Sequence, residues 1–102
     1  MPASYRLILS PEAAADLQAL YDYISLDSPQ NAATMVRRLL DAIESLETFP
    51  HRNVARHQSR KIEHPVRSLP VRPYVIYFRV LDDRQAVIIL AVRHGARRRP
   101  RF

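Results

Sequence analysis

The sequence predicts one α+β domain in which a helical hairpin covers one face of an antiparallel sheet. Two stripes of apolar residues with helical spacing fill the first half of the chain. Two strongly strand-forming segments, joined by a short turn, fill much of the second half. With 102 residues there is no room for a second core, so we expect a single domain over residues 1–102.

The first half of the chain predicts a strand followed by two helices. Residues 5–9 (YRLIL) are aromatic and aliphatic, which favours a strand. Segments 10–12 (SPE) and 28–29 (SP) each place a capping serine before a proline, which is typical of a helix start. A residue before proline avoids the α region, so we expect the second helix to end at 49–50 (FP). The short connection makes the two helices an antiparallel hairpin.

The second half predicts three antiparallel strands after a polar loop at 51–65. Residues 66–71 favour a short strand, and 74–80 (YVIYFRV) and 86–92 (AVIILAV) favour strong ones. The turn between the strong strands lies at 82–84 (DDR). The predicted element order is therefore β-α-α-β-β-β.

Alternation along the last two strands predicts which residues face the helices. The all-apolar set is expected there: Tyr74, Ile76, Phe78, Val80, Ile88, Leu90 and Val92. The opposite set is expected on an uncovered, partly basic face: Val75, Tyr77, Arg79, Val87, Ile89, Ala91 and Arg93. An apolar face without a covering layer predicts a binding partner.

Charge is divided sharply between the two halves. Residues 1–50 hold three basic and seven acidic residues, whereas residues 51–102 hold thirteen basic and three acidic ones. Arginine accounts for twelve of those thirteen and for four of the last six residues. Arginine binds carboxylates and phosphates bidentately, so the basic half predicts an acidic or polyanionic partner. A solvated basic end and a nucleic-acid-binding module are alternatives left open.

Several classes of function are excluded or disfavoured by composition. There is no cysteine, which excludes disulfides and thiolate zinc sites, and one glycine excludes a phosphate-binding glycine loop. The four histidines have no metal-ligand spacing, so we expect neither a metal nor another cofactor. No apolar run is long enough to cross a membrane, and we expect a cytoplasmic protein.

One residue pattern admits proton-transfer chemistry. His94 follows the last predicted strand and has arginines near it in sequence, so it has the residue type of a general acid or base. The alternative is a strand-end side chain that hydrogen-bonds the following turn. Both interpretations stay open at this point.

Three segments in order resemble the ParE branch of the ParE/RelE superfamily of bacterial type II toxins. They are YRLILSPEAAADLQALYDYI (5–24), RSLPVRPYVIYFRV (67–80) and VIILAVRHGARRRP (87–100). The resemblance implies a toxin that inhibits DNA gyrase and acts in plasmid stabilisation. It also implies a ParD-like antitoxin whose acidic C-terminal segment folds against the toxin in a hetero-oligomer.

The RelE-like relatives cut messenger RNA on the ribosome instead, with basic residues and a tyrosine or histidine. A ribonuclease of this kind would use Arg67, Arg79 and His94. No tyrosine follows His94, and the last residue is Phe102, which cannot transfer a proton. The resemblance therefore favours gyrase inhibition, which requires no catalytic set; a toxin that has lost its activity is a further open alternative.

The resemblance also implies two binding surfaces. The antitoxin is expected on Val75, Tyr77, Arg79, Val87, Ile89 and Arg93. The target is expected on Arg97, Arg98, Arg99 and Arg101.

Overall fold

The computed structural model describes residues 4–48, 50–51 and 65–96, and its element order is β-α-α-β-β-β, as predicted. The elements are β1 (Arg6–Leu9), α1 (Pro11–Ser25), α2 (Pro29–Ser45), β2 (Arg67–Val71), β3 (Tyr74–Leu81), a 3₁₀ turn (Asp82–Arg84) and β4 (Ala86–His94). Neither helix is long and apolar enough to span a bilayer.

Both helices begin at the predicted serine caps. The Ser10 hydroxyl accepts a hydrogen bond from the Ala13 N–H at 3.1 Å, and the Ser28 hydroxyl accepts one from the Asn31 N–H at 3.2 Å. Each proline follows its cap in the first turn, where its missing N–H costs no helical hydrogen bond.

The second helix ends earlier than expected, at Ser45 rather than at Pro50. Its last turn tightens, because the Leu46 N–H bonds to the Ile43 carbonyl at 3.0 Å. The Glu47 carbonyl then accepts the Tyr5 N–H at 2.8 Å, so the chain after α2 pairs with the residue before β1.

The sheet has four strands in the order β1-β4-β3-β2. The last three strands are antiparallel, as predicted, and β1 joins them as an edge strand parallel to β4. The helical hairpin connects β1 to β2, which lies at the opposite edge of the sheet, so both helices cross the same face.

A register shift divides β4 into two parts. Tyr77 pairs with Ala91, but Phe78 pairs with Ile89, so Leu90 is an extra residue between the two pairs. Such a β-bulge reverses the alternation of side chains on the strand that carries it.

The core between the helices and the sheet contains Val87 and Ile89, both with no exposed surface. The expectation that these two residues lie on the uncovered face is therefore wrong. In the observed register Val87 lies opposite Val80, and Ile89 lies opposite Phe78, which are both core residues. Of the expected β4 set only Val92 reaches this core, because the bulge brings it to the helix side.

The opposite face of the sheet is not open at its centre, which is also a correction. Tyr77 is 6% exposed and Ala91 is fully buried, and the two pair across the strands. The small Ala91 side chain leaves room for the tyrosine ring, and Val66, Val75 and Leu90 pack around the pair. This face thus has a small core of its own.

Candidate functional site

The end of β4 extends beyond its neighbour. Strand β1 pairs with β4 only as far as Leu9 opposite Ile89, whereas β4 continues to His94. Among the described strands none pairs with this side of β4 after Ile89. An unpaired strand edge carries backbone donors and acceptors that need partners.

Groups from the start of α1 supply partners for the first part of this edge. The Ser10 N–H donates to the Ile89 carbonyl at 3.0 Å, and the Ser10 hydroxyl donates to the Leu90 carbonyl at 3.1 Å. The Asp16 carboxylate accepts the Val92 N–H at 2.9 Å. The capping residue Ser10 and the Asp16 carboxylate therefore make the hydrogen bonds that a neighbouring strand would make.

The same carboxylate holds Arg93. The Asp16 Oδ2 lies 3.2 Å from Arg93 Nε, and the Glu12 carboxylate lies 3.1 Å from Arg93 Nη2. Arg93 was expected on the outer face with Val75, its partner across the strands. Its guanidinium instead turns around the sheet edge to α1, because two carboxylates one helical turn apart lie there.

A cavity of about 470 Å³ lies between α1 and the end of β4; we call it the edge cleft. Its lining residues come from one face of α1 and from the ends of β3 and β4: Asp16, Ala19, Leu20, Tyr23, Tyr74, Val92, Arg93 and His94. The Tyr23 side chain is 75% exposed at this cavity, which is unusual for a large aromatic residue. Apolar walls beside an open strand edge suit an extended polypeptide segment.

His94 packs edge-on against Tyr74, with ring centroids 5.4 Å apart. Its Nδ1 accepts the Ala96 N–H at 3.1 Å. This is the hydrogen bond to the following turn that the second interpretation of His94 predicts.

The three residues expected for a ribonuclease do not meet. Arg67 and His94 lie opposite Phe78 and Tyr74, four positions apart on β3, which is about 13 Å along a strand. Arg79 alternates with the core residue Phe78 and therefore points to the other face. General acid–base catalysis needs its groups within hydrogen-bond reach of one substrate.

The other residues predicted for the binding surfaces lie partly on the outer face of the sheet and partly outside the described residues. Val75 and Arg79 are half-buried on the outer face, beside the nearly buried Tyr77. The expected target contacts Arg97, Arg98, Arg99 and Arg101 lie outside the described residues. Within residues 4–48, 50–51 and 65–96 no cluster of acidic and histidine side chains could hold a metal ion.

Sequence reasoning missed Asp16 and Tyr23 as site residues. Asp16, Leu20 and Tyr23 have the spacing of one helical face, so a carboxylate lies in line with apolar residues. An acidic residue in that position was the available signal that the face meets polar groups.

Comparisons with known proteins agree with this architecture. A sequence model of the family described as "ParE toxin of type II toxin-antitoxin system, parDE" matches residues 7–99. A curated protein of Caulobacter vibrioides, "Toxin RelE2", is 41% identical over 86 residues, which cover 83% of this chain and 89% of that protein.

Solved structures share the fold. A structure of the chromosomal ParDE system of P. aeruginosa has a TM-score of 0.70 and 27% identity, and the match covers 90% of this chain and 97% of the other. The RelBE2 toxin–antitoxin complex of Mycobacterium tuberculosis has a TM-score of 0.63 and 23% identity, over 93% and 95% of the two chains. The latter likeness concerns the fold alone.

The family match extends from β1 through β4, and it includes every residue that lines the edge cleft. The chain therefore belongs to the ParE toxin family of type II toxin–antitoxin systems, within the ParE/RelE superfamily.

Proposed function

We propose that this type II toxin inhibits DNA gyrase and that a ParD-like antitoxin neutralises it by binding the edge cleft. The observation that carries the proposal is the ParE family match over residues 7–99. Fold does not determine activity, so the choice between gyrase and the ribosome as the target has to rest on the residues of the site.

The placement of the basic residues supports binding rather than catalysis. Arg79 lies on the opposite face of the sheet from Arg67, and His94, at the end of β4 and opposite Tyr74, accepts a backbone hydrogen bond. A protein that acts by binding a target needs no converging acid and base. Arg97, Arg98, Arg99 and Arg101 stay the proposed contacts with the target.

The edge cleft supports an antitoxin segment as its occupant. An extended segment would continue the sheet beside the end of β4, with apolar side chains against Tyr23 and acidic ones near Arg93 and His94. Val87 and Ile89 are fully buried and make no part of this surface. Val75 and Arg79 stay proposed antitoxin contacts on the outer face.

Gyrase inhibition is tested with purified toxin, DNA gyrase and relaxed plasmid. We expect loss of supercoiling and accumulation of cleaved DNA after denaturation, and both should be reversed by the antitoxin. Normal supercoiling in the presence of folded toxin that arrests growth would overturn the gyrase assignment.

Antitoxin binding is tested with two tyrosines of α1. Tyr23→Ala removes an exposed aromatic residue from the edge cleft, whereas Tyr21→Ala removes one that does not line it. We expect Tyr23→Ala to weaken antitoxin binding at least about fivefold and Tyr21→Ala to have little effect. Equal losses from the two variants would contradict the cleft as the docking site.

A ribosome-dependent ribonuclease is the second candidate, because the curated relative at 41% identity is named RelE2. It predicts cleavage of messages on translating ribosomes. Arg67→Ala, Arg79→Ala and His94→Ala would each reduce that cleavage without unfolding the protein.

A further inference from the structure

Arg93 in the edge cleft faces two carboxylates with a single positive charge. Its Nε lies 3.2 Å from Asp16 Oδ2, and its Nη2 lies 3.1 Å from Glu12 Oε1. One guanidinium and two carboxylates give this group a net charge of about −1 near neutral pH. An acidic segment that enters the cleft therefore meets an arginine whose charge is already balanced.

Asp16 is the fixed partner of Arg93. The same Oδ2 accepts the Val92 N–H at 2.9 Å, and the Asp16 side chain is only 19% exposed. Movement of this carboxylate would leave a backbone donor at the sheet edge without its acceptor, which costs more than a neutral hydrogen bond contributes. We therefore expect Asp16 to stay in place when the cleft is filled.

Glu12 has the properties of an exchangeable partner. Its side chain is 55% exposed, and Arg93 is the ion-pair partner that it has among the described residues. Exposed ion pairs add little stability, because water screens the charges and two side chains lose freedom. Glu12 also lies in the first turn of α1, where the positive end of the helix dipole favours its charge without Arg93. Its release from Arg93 should therefore cost little free energy.

Another exposed carboxylate of the described residues is held by more groups. Asp82 is 61% exposed, yet its Oδ1 accepts the Tyr5 hydroxyl at 2.7 Å and lies 2.8 Å from His51 Nε2. The hydrogen bond from Tyr5, followed by that from His51, lowers the pKa of Asp82 below its ordinary value of 3.8. The hydrogen bond to Asp82 raises the pKa of Tyr5 above its ordinary value of 10.0. This carboxylate meets no arginine fork, so the exchangeable contact is the one between Glu12 and Arg93.

We propose that Glu12 holds Arg93 only while the edge cleft is empty, and that a carboxylate of the bound antitoxin segment takes its place. This inference rests on the edge cleft as the docking site of the antitoxin. The two terminal nitrogens of a guanidinium form a fork that binds one carboxylate through two hydrogen bonds. Because Asp16 bonds Nε, Glu12 and the incoming carboxylate compete for that fork.

The exchange makes the cleft selective for an acidic side chain next to Arg93. A neutral side chain cannot replace the charge of Glu12, and a basic one is repelled by the guanidinium once Glu12 has left. Specificity depends on such differences between partners as well as on favourable contacts. The competition also lowers the affinity for every acidic segment, because each must displace Glu12 first.

Antitoxin binding to two charge-matched variants of α1 tests the exchange. Glu12→Gln keeps the size of the side chain and removes the competing charge. Asp22→Asn removes one charge from an exposed residue whose carboxylate accepts a hydrogen bond from Gln18 at 3.0 Å. The readout is the Kd of purified antitoxin for the full-length toxin, measured by calorimetry. We expect Glu12→Gln to bind the antitoxin about two- to fivefold more tightly than Asp22→Asn does.

A double-mutant cycle with Arg93 assigns the effect to this ion pair. Arg93→Gln alone should weaken antitoxin binding at least about fivefold, and Glu12→Gln should add nothing in that background. Thermal unfolding checks the fold of each variant, and Glu12→Gln should shift Tm by less than about 3 °C because an exposed pair is weak. The comparison of Glu12→Gln with Asp22→Asn decides the proposal even if Arg93→Gln does not fold.

Failure of the exchange differs from failure of the docking site. Equal affinities of Glu12→Gln and Asp22→Asn, or weaker binding by Glu12→Gln, would overturn the exchange while Tyr23→Ala still marks the cleft as the antitoxin site. Equal losses from Tyr23→Ala and Tyr21→Ala would overturn the docking site, and the exchange with it. Neither result depends on whether the toxin acts on gyrase or on the ribosome.

Discussion

Asp16 accepts the Val92 N–H at 2.9 Å, so a helix carboxylate occupies the position that a strand carbonyl would take at the edge of the sheet. Natural sheets cover exposed edges with helices, loops or charges to prevent unwanted pairing. Here the cover extends only to Val92, and the edge cleft begins where it stops. One contact thus protects the fold and sets the limit of the candidate binding site.

Removal of the Asp16 carboxylate should destabilise the protein. Asp16→Ala leaves the Val92 N–H without its acceptor and Arg93 without one of two carboxylates, which should lower the free energy of unfolding by about 1 to 3 kcal/mol. Asp16→Asn keeps an oxygen acceptor and should cost less. Urea unfolding measures the free energy of unfolding of each variant. The control is Asp22→Ala, which changes an exposed residue of the same helix and should change the free energy of unfolding by less than about 0.5 kcal/mol.

The two serine caps should differ in their importance. Ser10→Ala removes the cap of α1 and also the hydrogen bond to the Leu90 carbonyl, whereas Ser28→Ala removes the cap of α2. A lost cap costs about 1 kcal/mol, so Ser28→Ala should have that effect and Ser10→Ala a larger one. Thermal unfolding of both variants checks the order, and equal losses would show that the Leu90 contact adds no stability.

Adjacent isoleucines on β4 test which face meets the helices. Ile89 has no exposed surface and lies in the main core, whereas Ile88 is half-buried beside Arg79. Ile89→Ala should lower the free energy of unfolding by about 2 to 5 kcal/mol, and Ile88→Ala by clearly less. The reverse order in chemical denaturation would restore the face assignment expected from alternation alone.

Asp82 should give the stability a defined pH dependence. Its folded-state pKa is lowered, so its contribution is complete above about pH 4 and is lost as the pH falls through the folded-state pKa. The Tyr5 pKa is raised, so its contribution is complete below pH 10.0 and is lost above it.

The size of the Asp82 effect should be small. The Asp82 side chain is 61% exposed, and solvent screening keeps the contribution below about 1 kcal/mol. Asp82→Asn should flatten the acid limb of a plot of unfolding free energy against pH, and Asp83→Asn serves as the charge-matched control. An unchanged acid limb in Asp82→Asn would contradict the contact with Tyr5.

Local signals made much of the fold predictable. Ser10 and Ser28 each precede a proline and an apolar stripe, and both cap helices as expected. The antiparallel pairing of β3 and β4 was equally predictable, because a short polar turn joins two strongly strand-forming segments. Each of these signals lies within a few residues of the feature that it predicts.

Features that depend on distant pairing were not predictable. The bulge at Leu90 lies in an apolar run that contains no residue typical of a bulge. It nevertheless determines on which side of the sheet each β4 side chain lies. The contact of Asp82 with Tyr5 spans 77 positions, and no local pattern reports it. The edge cleft arises because β1 is shorter than β4. Predicting it requires the knowledge that the two strands are neighbours.

The bulge also separates two kinds of structural constraint within one strand. Before Leu90, Val87 and Ile89 are enclosed by the core, so their replacement requires compensating changes elsewhere in the fold. After it, Arg93 and His94 line a surface cavity and can vary without repacking the interior. Substitutions at the end of β4 therefore change the shape and charge of the edge cleft, whereas substitutions of Val87 or Ile89 change the packing of the core.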